Sequence, residues 1–92
     1  MKCRVELYGS IPAAAGTRTV ELDLHDGARL RDIVRALRQA LPGLEGSVIR
    51  RGEDRLEGHY AFNVNGRFHV DDYEKEVRPD DHILLLTLPL GG

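Results

Sequence analysis

Leu85-Leu86-Thr87-Leu88-Pro89-Leu90-Gly91-Gly92 closes the sequence, an apolar run of strand length that passes through a proline into two glycines. Extended back to His82, the run reads as a strand with two apolar sides. Ile83 and Leu85 lie on one side and Leu84, Leu86 and Leu88 on the other. A solvated antiparallel edge alternates apolar with polar. This strand is therefore either central and covered, or it carries an apolar patch kept for a partner.

The residues after it suggest what such a partner does. A carboxylate is a poor electrophile, so an enzyme that loads one first converts it to a mixed anhydride, usually an acyl-adenylate, in a narrow site that excludes water. Glycine has no Cβ, so Gly91 and Gly92 let the backbone pass close to such walls and leave the terminal carbonyl unhindered. Pro89 holds Leu88 extended and stiffens the exit from the strand. Four residues at about 3.3 Å each reach roughly 13 Å into a cleft. The competing reading is a frayed end with no role.

Ninety-two residues make one small domain with a modest core. The formal charge of −2 comes from 13 basic and 15 acidic residues spread along the chain, which gives no electrostatic case for nucleic acid or anionic membrane. Met1-Lys2-Cys3-Arg4 leads into alternation, so no secretory leader is expected, and no run is long enough to span a bilayer. One cysteine forms no internal disulfide and fits a reducing cytoplasm.

Outward from the last strand, the chain divides into short elements. Lys2–Tyr8 alternates, with Cys3, Val5 and Leu7 on the apolar side, where Cys3 reads as a buried, inert thiol. Gly9–Gly16, with Pro12 and three alanines, reads as a turn-rich connection to a second strand, Thr17–Leu24. Leu30, Ile33, Val34, Leu37 and Leu41 form one helical stripe ended by Pro42-Gly43. On its polar face Arg31, Arg35 and Arg38 make either a solvated surface or a dock for an acidic partner. Leu44–His59 is polar and glycine-rich and reads as a long loop or loose short element. Tyr60–Val64, the Asn65-Gly66 turn and Arg67–Val70 make a hairpin. Asp71–Asp81 is polar, pinned by Tyr73 and Val77. Strand, strand, helix, strand, strand, strand predicts an α+β domain: a mixed sheet of about five strands with one main helix on one face.

This order, the segment Phe62-Asn63-Val64-Asn65-Gly66, the turn Pro79-Asp80-Asp81 into an apolar strand and the final Gly91-Gly92 resemble the ubiquitin-like sulfur carriers. That family includes the small subunit of molybdopterin synthase (MoaD) and the thiamine carrier (ThiS). The resemblance spans the whole chain. It implies a single β-grasp domain over residues 1–92, with 88–92 as a flexible C-terminal tail. It further implies that an enzyme of the ubiquitin-activating type uses ATP to adenylate Gly92. A thiocarboxylate then forms there, and its sulfur passes to an acceptor enzyme in cofactor biosynthesis. Gly91, Leu90 and Pro89 give the tail access to those sites, and Leu84, Leu86 and Leu88 bind the partners. The chain itself then holds no cofactor or metal and works in the cytoplasm.

On length the implied pathway is molybdopterin, with the synthase large subunit as acceptor. The family's molybdopterin members usually carry a proline pair before the glycines, where this chain has Thr87-Leu88-Pro89-Leu90. Carriers for thiamine, cysteine or tRNA thiolation and lysine-conjugating modifiers stay open beside it. A ubiquitin-like interaction domain whose glycines are idle is the alternative of a different class. Catalysis by the chain alone has no support in the residues. His25, His59, His69 and His82 lack ligand spacing, and the pairs Asp71-Asp72 and Asp80-Asp81 are neighbours in turns that point apart. There is no phosphate loop or nucleophile motif.

Overall fold

Alternation in the first residues becomes strand β1 (Lys2–Leu7), with Cys3, Val5 and Leu7 buried and Lys2 and Arg4 exposed. The structure, a computed structural model, describes residues 1–88. In order, the other elements are α1 (Ile11–Ala15), β2 (Thr19–Asp23), α2 (Leu30–Ala40), a 3-10 turn (Pro42–Leu44), β3 (Tyr60–Val64), β4 (Arg67–His69) and β5 (Ile83–Thr87). One sheet runs β2-β1-β5-β3-β4. β1 and β5 are parallel, and every other pair is antiparallel. This is the predicted mixed five-stranded sheet with one main helix. β5 is its central strand, hydrogen-bonded on both sides.

Helix α2 lays its stripe across one face of the sheet. Leu30, Ile33, Val34 and Leu37 are fully buried in one cluster with Val5, Leu7, Leu22, Phe62, Ile83 and Leu85, while Val20 packs at its margin. Asp32 Oδ2 accepts from the Arg29 amide at 2.8 Å to start the helix. Two of the orphan amides of its first turn are met by the 71–81 segment, Leu30 N donating to Lys75 O and Arg31 N to Tyr73 O, each at 3.0 Å. Val77 is buried, and Tyr73 Oη accepts from the Leu56 amide at 3.0 Å. Truncating the centre of the stripe with Leu37→Ala should cost about 2–5 kcal/mol in denaturant unfolding. A change below about 0.5 kcal/mol would show that this helix does not seal the core.

Two stretches differ from the reading of the sequence. The connection between β1 and β2 holds a short helix, α1, instead of turns alone. Pro12 sits in its first turn, the alanines favour helix, and Gly16 at φ 80° ends it with N–H donating to Pro12 O at 2.8 Å. Its one large side chain, Ile11, is buried.

The stretch 44–59 is no loose loop either. Leu44, Val48, Ile49 and Leu56 are all buried, and the chain folds back on itself through Gly46 N to Ile49 O (2.7 Å) and Glu57 N to Val48 O (2.8 Å). The polar face of α2 holds this stretch down. Arg38 pairs with Glu45 (2.8 Å) and Asp54 (2.9 Å), Arg35 with Asp54 (2.6 Å), and Arg38 also donates to Glu53 O. Arg31 reaches Glu74 at 2.9 Å. The acidic partner of these arginines is thus the chain's own polypeptide.

Asp54 carries a pH signature. Its hydrogen bond from Arg35, joined by Arg38, holds its carboxyl below the usual 3.8. A depressed folded-state pKa contributes stability that is present above the unfolded value and lost as pH falls through the folded one. Urea unfolding below about pH 4 should therefore show a steeper loss for the wild type than for Asp54→Asn. Equal slopes would mean that the clamp contributes nothing.

Candidate functional site

The face of the sheet turned away from α2 is where the candidate residues collect. With Ile83 and Leu85 buried beneath the helix, alternation puts Leu84 and Leu86 on the opposite side, both half-buried. Register sets Leu84 between Glu6 of β1 and Asn63 of β3, and Leu86 beside Ala61. Leu88, just past the strand, is also half-buried, and its amide donates to His59 O at 2.7 Å. Pro89, Leu90, Gly91 and Gly92, where the activated end and its access residues are expected, lie outside the described residues.

Three large apolar residues that the reading of β5 passed over join this region. Tyr8 is 45% exposed, Phe68 50% and Val70 45%. Tyr8 extends β1 through its amide to Leu85 O at 3.2 Å, and it follows the buried Leu7, so it falls on the open side near Leu86. Phe68 is paired with Asn63, which places it on that side in β4, two strands from β5. Val70 comes just after β4. A signal for Phe68 was present: it stands opposite the hairpin's Asn63 once Asn65-Gly66 fixes the register. That turn has positive φ at both residues, 54° and 89°.

The other half of the open face is polar and largely self-paired. Lys2 meets Asp23 at 3.5 Å, Arg4 lies opposite Glu21, and His82 Nε2 contacts Glu6 Oε2 at 2.6 Å. Beside the end of β5 a hollow of about 400 Å³ is lined by Glu6, Tyr8, Gly9, Pro12, Arg18 and Thr19. Gly9 passes close to the strand end here, since a Cβ on it would stand 3.3 Å from Thr87 Oγ1 at φ 67°.

Elsewhere the chemistry is quiet. Cys3 is buried, and burial, with a smaller push from Asp81, raises its thiol pKa and disfavours the thiolate. Among the described residues no group of three or more His, Cys, Asp or Glu side chains is placed to hold a metal ion, and no helix is long and apolar enough to cross a membrane. An apolar strip on a central strand suits protein docking.

No family model and no curated protein sequence matches the chain. Solved structures do. A crystal structure of the small archaeal modifier protein 1 of Haloferax volcanii matches with a TM-score of 0.83 and 26% identity, over 100% of both chains. A Pyrococcus furiosus protein described as molybdopterin converting factor subunit 1 matches at 0.77 and 21%, over 97% of this chain and 99% of that one. A chain of the BexX/CysO complex of Amycolatopsis orientalis matches at 0.73 and 19%, over 98% and 99%. The chain is a β-grasp protein that resembles the ubiquitin-like sulfur carriers and modifiers, and those neighbours are small carrier or modifier proteins, not catalysts.

Proposed function

We propose that this chain is a sulfur carrier whose Gly92 carboxylate is activated by a ubiquitin-activating-type enzyme. The observation that carries this reading is the path of β5. The central strand presents Leu84 and Leu86 on the open face and ends at Thr87, five residues before Gly92 in the sequence. A partner that takes the carboxylate has the apolar strip within reach to hold.

The reaction then has two steps. The carboxylate attacks the α-phosphate of ATP, releasing pyrophosphate and leaving an acyl-adenylate. Hydrosulfide supplied by the partner adds to that carbonyl and expels AMP, which leaves a thiocarboxylate on Gly92. Pro89, Leu90 and Gly91 thread the partner's site, where glycine lets the backbone approach closely. The carrier's own part is positioning: it binds no cofactor, and ATP belongs to the activating enzyme. Work of this kind belongs in the cytoplasm, in keeping with the single buried thiol.

For the acceptor, the likeness to a molybdopterin converting factor subunit along nearly the whole chain supports the molybdopterin synthase large subunit. A second reading, a modifier attached to protein lysines, is favoured by the 26% identity to an archaeal modifier protein. Both begin with the same adenylate, so the first test is common to them. Incubated with ATP and the host's activating enzyme, the chain should elicit pyrophosphate release in proportion to its concentration. No release would leave the interaction-domain reading. Co-expression with the synthase large subunit then divides the two, since a stable complex supports the molybdopterin carrier and its absence the modifier.

A further inference from the structure

Asn63 is the buried polar side chain of the open face, 9% exposed in the middle of an apolar strip. Its neighbours along β3, Phe62 and Val64, are buried beneath α2, and register sets Asn63 between Leu84 on β5 and Phe68 on β4. Its Oδ1 accepts from the Gly66 amide at 2.9 Å. That bond fixes the carboxamide's orientation: a backbone N–H requires an acceptor, so the oxygen faces the turn and Nδ2 faces away from it.

Among the described residues the Asn63 side chain makes one hydrogen bond, through Oδ1. Nδ2 is not among the fully buried side-chain atoms that lack a partner, so it keeps access to solvent. A buried amide donor of this kind is met by water until something displaces it. A partner that covers Leu84 and Phe68 expels that water, and an amide left without an acceptor in an apolar contact is costly. The partner's surface must then present an oxygen at this point.

We propose that Asn63 is a specificity-determining residue of the docking face, its Nδ2 donating to a carbonyl oxygen of the activating enzyme. This rests on the carrier reading above. The enzyme is favoured over a second copy of the chain by where the described residues end. Leu88 closes them beside this face, its amide donating to His59 O. Gly92 follows four residues later, within about 13 Å even if fully extended, so a protein that takes the Gly92 carboxylate has this face within reach.

Asn63→Asp tests it, because the carboxylate keeps an acceptor for the Gly66 amide and removes the donor. In the pyrophosphate-release assay the KM for the carrier should rise roughly 10- to 100-fold, with kcat and the melting temperature little changed. An unchanged KM overturns the assignment of Asn63 alone. A wild type that elicits no pyrophosphate release overturns the carrier reading and this inference together. Should Asn63→Asp unfold, wild-type NMR decides: exchange of the Asn63 side-chain NH2 protons should slow when the enzyme is added, and unaltered exchange overturns the proposal. Self-association of the wild type that the variant loses gives the face to a second copy, and overturns it too.

Discussion

Removing Gly92, or adding one residue after it, is expected to abolish ATP-dependent adenylation while leaving the melting temperature unchanged. The two halves of that result have separate causes. Among the described residues the buried cluster runs from Cys3 to Leu85, so neither change removes a side chain of that core. Adenylation requires the carboxylate in line with the α-phosphate of ATP, and positioning of that kind supplies about 7–11 kcal/mol of a barrier. A tail one residue short stops before the phosphate, and a tail one residue long overshoots it by about 3.3 Å. Calorimetry and pyrophosphate release on the same samples check both halves. A variant lacking both Gly91 and Gly92 that still accepts AMP would remove the carrier reading.

Leu86→Arg and Leu85→Arg should separate the two faces of β5 with opposite outcomes. Leu86 is half-buried on the open side, so an arginine there can lay its stem along the sheet and keep its charge in water. The fold should persist, and co-purification with the activating enzyme and with the acceptor should be lost, because the charge would be desolvated against their apolar surfaces. Leu85 is fully buried between Leu7 and Phe62. A charge there has neither partner nor water, and the variant should not fold. Circular dichroism with a pull-down on each variant is decisive. A folded Leu85→Arg beside an unfolded Leu86→Arg would reverse the faces.

What the sequence disclosed follows from where its patterns are strong. The stripe Leu30, Ile33, Val34, Leu37 reads as helix because four apolar positions share one period. Asn65-Gly66 reads as a tight turn because few residue pairs accept positive φ twice. The two-sided apolar β5 reads as either a covered central strand or a patch kept for a partner. The sheet order makes it central, and with Ile83 and Leu85 under the helix alternation places Leu84 and Leu86 on the other side. Leu44, Val48, Ile49 and Leu56 match neither a helical nor a strand period, so their burial was invisible. It depends on an irregular fold-back clamped from α2 by Arg35 and Arg38. For the same reason the arginines looked free, their carboxylate partners lying 16 and 19 residues along the chain in Asp54.

The site was legible to a similar depth. Its centre on β5 could be read from one strand, whereas Tyr8 and Phe68 join it only through the sheet order β1-β5-β3-β4. Asn63 looked like part of a hairpin motif, and its second role required knowing which of its atoms the Gly66 amide already engages.

Intact mass of the protein purified from its native host under reducing, metal-free conditions tests whether Gly92 carries sulfur. A carrier should show a population heavier than the sequence by the difference between sulfur and oxygen. That increment should localise to the C-terminal peptide ending in Gly92 and vanish when the activating enzyme is deleted. A single species at the unmodified mass in every growth condition, with no conjugate of Gly92 to another protein, would contradict it and leave a β-grasp domain that binds through its open face alone.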